Sequence, residues 1–128
     1  MRRKTGLKRT PMRRKRPRRG NIPMEARLAV MERSGGVCEG AIPGVCTGRA
    51  QEWHHRRSRA VGENPHSPAN GAALCSACHH HITHVSPAVG LERGLIVRRN
   101  TDADPADVPM LLCGKTWVHL DENGGWHA

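Results

Sequence analysis

The most regular apolar spacing in the chain is Met24, Leu28 and Met31 at i, i+4 and i+7, between Pro23 and the Gly35-Gly36 pair. A period near 3.6 residues, with proline in the first turn and glycine past the end, predicts a helix of about three turns over Pro23–Ser34. Those three residues are expected against the core. From Gly35 to Ala73 glycine, proline and short polar stretches break every longer pattern, and only Ala50–His55 reads as a strand. Cys75–His84 reads as a short helix that must stop before Pro87, and Ser86-Pro87 opens another, closed by Gly94. The end of the chain reads as β. Leu95-Ile96-Val97 is β-prone, and Asp102–Pro109 is a turn-rich acidic connection. Met110–Cys113 and Thr116–Leu120 flank Gly114-Lys115 as a hairpin, and Glu122-Asn123-Gly124-Gly125 is a further turn before Trp126.

Charge separates the first twenty residues from the rest. Of the 21 Lys and Arg residues, 11 lie in Met1–Gly20, where no acidic residue occurs, so the remainder carries ten basic against eleven acidic residues. Lys8-Arg9-Thr10-Pro11 and Lys15-Arg16-Pro17 repeat a basic-proline theme that cannot form a core. Residues 1–20 are therefore expected to be a disordered basic arm, followed by a domain over 21–94 and a C-terminal β extension over 95–128. Blocks of like charge act as polyanion-binding tails, and Arg-rich segments gain affinity for phosphate chains through counterion release. A merely solubilising tail is the plainer alternative.

A chain of 128 residues with three Trp and no Phe or Tyr lacks the usual large core anchors. A metal or oligomer contacts must supply what packing does not. No apolar run approaches the ~20 residues of a membrane span, and no apolar stretch follows the basic start as a secretory signal requires. Without secretion, the five cysteines read as metal ligands before disulfides. Cys75-Ser76-Ala77-Cys78 is a Cys-x-x-Cys knuckle, and Cys38 and Cys46 stand upstream with seven residues between them. Four thiolates give the closed tetrahedral shell of structural zinc. The alternatives are small buried apolar residues or a redox pair, but a thioredoxin-like motif needs a βαβ context that is missing around Cys75. Cys113 is remote and reads as a core residue.

Interleaved with the cysteines are His54-His55, then Asn70, then His79 directly after Cys78. His-His, Asn 15 positions later and His 9 beyond that resembles the HNH endonucleases (His-Me finger, ββα-metal nucleases), with the intervals of colicin-type enzymes. The Asn70–His79 segment, Asn-x-x-x-Leu-Cys-x-x-Cys-His, is similar to the zinc-stapled branch of that family. The resemblance spans about Ala26–Gly94. It implies an α+β fold, with a small ββα-metal core stapled by the four-cysteine zinc site, a helix before it and a small β element after it.

The activity implied is metal-dependent hydrolysis of DNA phosphodiesters, by nicking or double-strand cutting, leaving 5′-phosphate and 3′-hydroxyl ends. By the same match, His55 is the general base, and His54 and His79 ligate a catalytic divalent cation, Mg²⁺, Mn²⁺, Ni²⁺ or Zn²⁺. Asn70 orders the loop and helps orient the base. The chemistry agrees: an imidazole with an ordinary pKa of about 6.5 can take a proton from water, and a cation can neutralise the phosphate and leaving oxygen. Arg56, Arg57 and Arg59 follow directly and are expected on substrate phosphates rather than as a merely solvated cluster. One position departs from the family. Many relatives carry a histidine four residues after the last motif His, where this chain has Thr83, with His84 next, and this leaves the third protein ligand open.

The basic-Thr-Pro arm and β-rich tail are similar to small HNH proteins of tailed bacteriophages. That implies a bacterial cytoplasmic setting, with phage terminase or other packaging proteins as partners. Little in the chain can read bases, so low sequence specificity is expected. The rivals are a non-catalytic zinc-knuckle packaging accessory protein and a junction-resolving nuclease on the same core.

Overall fold

A computed structural model describes residues 21–58 and 64–128; the basic arm and Arg59 lie outside the described residues. It is a small α+β fold with two small sheets. Helix α1 (Met24–Ser34) precedes strand β1 (Glu52–His55), which pairs antiparallel with β2 (Gly71–Leu74), His54 opposite Ala72 and His55 opposite Gly71. Helix α2 (Ser76–His80) runs into a π turn (His81–Val85), followed by α3 (Pro87–Glu92). Strands β3 (Met110–Leu112), β4 (Thr116–Leu120) and β5 (Trp126–His127) form the second sheet in that order. No helix among the described residues is long and apolar enough to cross a membrane.

Helix α1 forms where the pattern predicts, but it is rotated. Met24, Leu28 and Met31 are exposed, and the buried face carries Ala26, Val30 and Ser34. Arg33, whose side chain is 1% exposed, completes that face, so the buried stripe keeps the i, i+4, i+7 spacing but lies two residues further along. A cation holds what would normally be an apolar position. Its guanidinium grips both carboxylate oxygens of the fully buried Glu39 at 2.8 Å, and donates to Pro68 O at 2.9 Å and Gly71 O at 2.7 Å. Glu39 in turn accepts from Ala73 N at 2.8 Å. Charges this deep persist only when paired and hydrogen-bonded, as these are.

One core serves the whole described chain. Cys38, Leu74, Cys75, Cys78 and Ile82 pack with Leu95, Met110, Val118 and Leu120, so residues 95–128 share the core rather than extending from a separate domain. Leu95-Ile96-Val97 is not a strand. Its side chains are drawn inward while its backbone is used piecemeal: Leu95 O accepts from His54, Ile96 N donates to Gly90 O and Val97 N to Arg56 O. The β3–β4 hairpin forms, but its turn is one residue earlier than expected: Cys113 and Gly114, both at positive φ (52° and 67°), are the central pair of a tight primed turn closed by Lys115 N donating to Leu112 O at 3.0 Å. Gly71 is required at the β1–β2 pairing, since a Cβ there would lie 2.2 Å from the Trp53 ring.

Candidate metal centre and histidine cluster

Three separate pieces of chain deliver the cysteines. Cys38 follows the left-handed turn after α1, Cys46 follows the glycine turn at Gly44, and one segment supplies both Cys75, the N-cap of α2 directly after β2, and Cys78 in the first turn of α2. Their sulfurs lie within 4.8 Å of one another, and none is in a disulfide. Four thiolates around one Zn²⁺ stand about 3.8 Å apart at a Zn–S length of 2.3 Å, so a small contraction closes the shell. The four cysteines thus have the spacing and chemistry to hold a metal ion. Backbone N–H groups already face the sulfurs: Cys78 N and Thr47 N toward Cys75, at 3.3 and 3.5 Å, and Gly48 N toward Cys46 at 3.2 Å. Burial pushes the Cys78 and Cys46 thiols up. At Cys75 burial acts the same way, but the Thr47 and Cys78 donors overcome it and bring the thiol down to about 6. Cys113 is half-buried and stands outside the group.

The histidines are arranged by strand alternation. Residues i and i+2 share a face, so Glu52 and His54 lie on one side of β1, and Trp53 and His55 on the other. His54 is buried and its Nε2 donates to Leu95 O at 2.7 Å, which leaves Nδ1 as the unprotonated nitrogen of a neutral ring. Burial, reinforced by His79, His55 and Arg56 against the Leu95 bond, pulls its pKa down to about 4. The His79 ring meets it edge-on, with centroids 5.0 Å apart. His79 Nδ1 contacts Glu52 Oε2 at 2.6 Å, and this bond holds the Glu52 carboxyl below its usual range. Glu52 was not singled out in the sequence; the available signal was its place two residues before His54 on the same strand face.

His55 sits on the opposite side of the strand. Its Nε2 is 3.3 Å from Nδ1 of His66, which carries no motif of its own, and its ring lies 6.1 Å from that of Trp53. Asn70 is almost fully buried and fastens the loop after β1: Oδ1 accepts from Arg57 N at 2.8 Å, and Nδ2 donates to Arg57 O at 3.1 Å and Pro65 O at 3.0 Å. Thr83 is not a ligand in this arrangement, because its hydroxyl donates to His79 O at 2.7 Å. Among the described residues, the cysteines are the only group whose ligand atoms gather three or more within 4.8 Å.

The arginines depart from expectation. Arg56 is 1% exposed, and its guanidinium donates to Gly94 O, Ala69 O and Pro105 O at 2.9 Å and to Val108 O at 2.7 Å. It braces the C-terminal residues against the core and offers no surface to a phosphate. Burial lowers its pKa to about 10, still charged at neutral pH. Arg57 folds back onto Ala103 O, Arg99 O and Thr101 O, and its Nε is buried without a partner. Comparison with known protein families, with curated proteins and with solved structures finds no match for the chain.

Proposed function

We propose that the protein is a metal-dependent DNA endonuclease of the HNH type, hydrolysing phosphodiester bonds with low sequence specificity, and that its four cysteines hold structural Zn²⁺. The observation that carries this reading is the meeting of His54 and His79, 25 positions apart in the chain, with centroids 5.0 Å apart at the end of a strand that also bears His55. His54 is suited to ligation because its Leu95 bond keeps the ring neutral with Nδ1 available. Glu52 performs the same service for His79, fixing the ring from Nδ1 and leaving Nε2 for an ion.

A divalent cation bound by His54 and His79 supplies charge for the phosphate and the leaving oxygen. Imidazole donors favour Mn²⁺, Ni²⁺ or Zn²⁺ over Mg²⁺. His55 takes the proton from the attacking water on the other side of the strand end, and His66, 3.3 Å away, is placed to steady its ring. The substrate phosphate thus lies across the end of β1. Asn70 keeps this end in shape through the Arg57 backbone. The basic arm supplies sequence-independent affinity for DNA, a role Arg56 does not share, and packaging proteins such as a phage terminase are the partners this reading suggests.

The test is plasmid cleavage by the full chain in EDTA, then with Mg²⁺, Mn²⁺, Ni²⁺ or Zn²⁺ restored singly, alongside His55→Ala. Metal-dependent nicking or linearisation, lost in the variant while zinc content and DNA binding persist, supports the nuclease. Unchanged cleavage in His55→Ala removes the proposed base. Intact DNA binding with no cleavage under any ion favours the packaging accessory protein.

A further inference from the structure

The chain reads His79-His80-His81 and then His84, and only His79 enters the site proposed above. His80 and His84 are exposed, with ring centroids 5.0 Å apart and planes inclined by 45°. They are four residues apart on α2 and its π continuation, where side chains lie one above the other. The π turn is real in its bonding: Ser86 N donates to His81 O at 2.7 Å, an i→i+5 bond. Such turns widen the helix and recur at functional positions. Here the turn has local causes in the fully buried Ile82 and in Thr83, whose hydroxyl bonds back to His79 O. Beside the pair opens a cavity of about 370 Å³ walled by Glu52, Ser76, His79, His80, Thr83 and His84. Its one carboxylate gives the wall a charge that favours a cation. The His119–His127 pair is different, since its rings stack 5.4 Å apart at only 20° and turn their faces, not their nitrogens, toward each other.

We propose that His80 and His84 chelate a transition-metal ion, of the Ni²⁺, Zn²⁺ or Cu²⁺ class, in a site separate from both the cysteines and the His54–His79 pair. Two imidazoles one helical turn apart reach a common ion at about 2.0–2.1 Å by side-chain rotation, which exposed rings do freely. Water completes the coordination, and imidazole nitrogens, as borderline donors, favour these ions over Mg²⁺ and Ca²⁺. The site does not depend on the nuclease reading.

The experiment is calorimetric titration of the zinc-saturated full chain with Ni²⁺, after weakly held ions are stripped on a chelating resin. His80→Ala, His84→Ala, His54→Ala and His81→Ala are titrated in parallel. The expected result is a Ni²⁺ equivalent, beside any taken up at the His54–His79 pair, that is lost or weakened at least roughly tenfold in both His80→Ala and His84→Ala and retained in the other two, where His54→Ala removes only uptake at its own pair. Unchanged uptake in the first two variants, loss confined to His54→Ala or His81→Ala, or no nickel bound beyond the cysteine site overturns the proposal. Circular dichroism and zinc content check that each variant is folded. Since DNA cleavage is not read, the nuclease reading stands or falls on its own assay.

Discussion

The two ends of α2 make an instructive pair. At its start, Cys75 and Cys78 are fully buried, the Cys75 sulfur accepts from Cys78 N and Thr47 N, and both cysteines meet Cys38 and Cys46. At its end, His79, His80 and His84 line an open cavity, and their partners are few: Glu52 and the His54 ring for His79, and each other's rings for His80 and His84. The buried end sets where the helix begins and so holds stability. The open end keeps donors unspent and so has capacity for chemistry. The same division separates the arginines expected on phosphate from surface cations, because Arg56 spends its donors on four carbonyls inside the fold.

The largest effect is expected from removing the metal proposed at the cysteines. Structural zinc contributes on the order of 10 kcal/mol in small domains, so Cys78→Ser, or a strong chelator, should abolish cooperative thermal unfolding followed by circular dichroism. A sharp, unshifted transition in the metal-free chain would sink the idea that the buried end carries stability. Next comes Arg56→Met, which strands four carbonyls and should cost roughly 3–5 kcal/mol in urea unfolding while DNA affinity holds. Lost affinity at unchanged stability would instead return Arg56 to the phosphate.

His54 lies between the two regions and sharpens the comparison through pH. Its folded pKa of about 4 is below the ordinary 6.5, so as pH falls below 6.5 the unfolded chain binds a proton that the native chain refuses. Stability should decline by roughly 3 kcal/mol as pH drops from 6.5 toward 4, and level off below that. His54→Gln should lack this component, and equal urea midpoints for wild type and variant shifts across that window would discard it. The smallest change in stability belongs to Glu52→Gln, at the exposed end, within about 0.5 kcal/mol. Cleavage should nevertheless fall about tenfold, with partial recovery at higher metal concentration, if Glu52 orients His79.

Much of the local structure was legible in the chain. Proline and glycine punctuate α1 and α3, the Cys-x-x-Cys spacing marks the start of α2, and the Gly114 region announces the β3–β4 hairpin. These are near-neighbour effects, decided by φ preferences and by spacing along a few residues. The four cysteines also declared themselves, because thiolate chemistry leaves few other uses for such a set. The face of α1, the fate of Leu95-Ile96-Val97, the burial of Arg56 and the roles of Glu39, Glu52 and His66 were not legible. Each depends on which distant group meets which: Arg33 finds Glu39, Arg56 finds the carbonyls of Gly94, Ala69, Pro105 and Val108, and Leu95 O finds His54. The sequence by itself determined most of the elements, though not β2 (Gly71–Leu74), and the residue types able to hold a metal ion, since those follow from local backbone and donor chemistry. Only the tertiary structure decided which charges are inside and which histidines meet, because a buried cation is stable only where the fold has already gathered its acceptors.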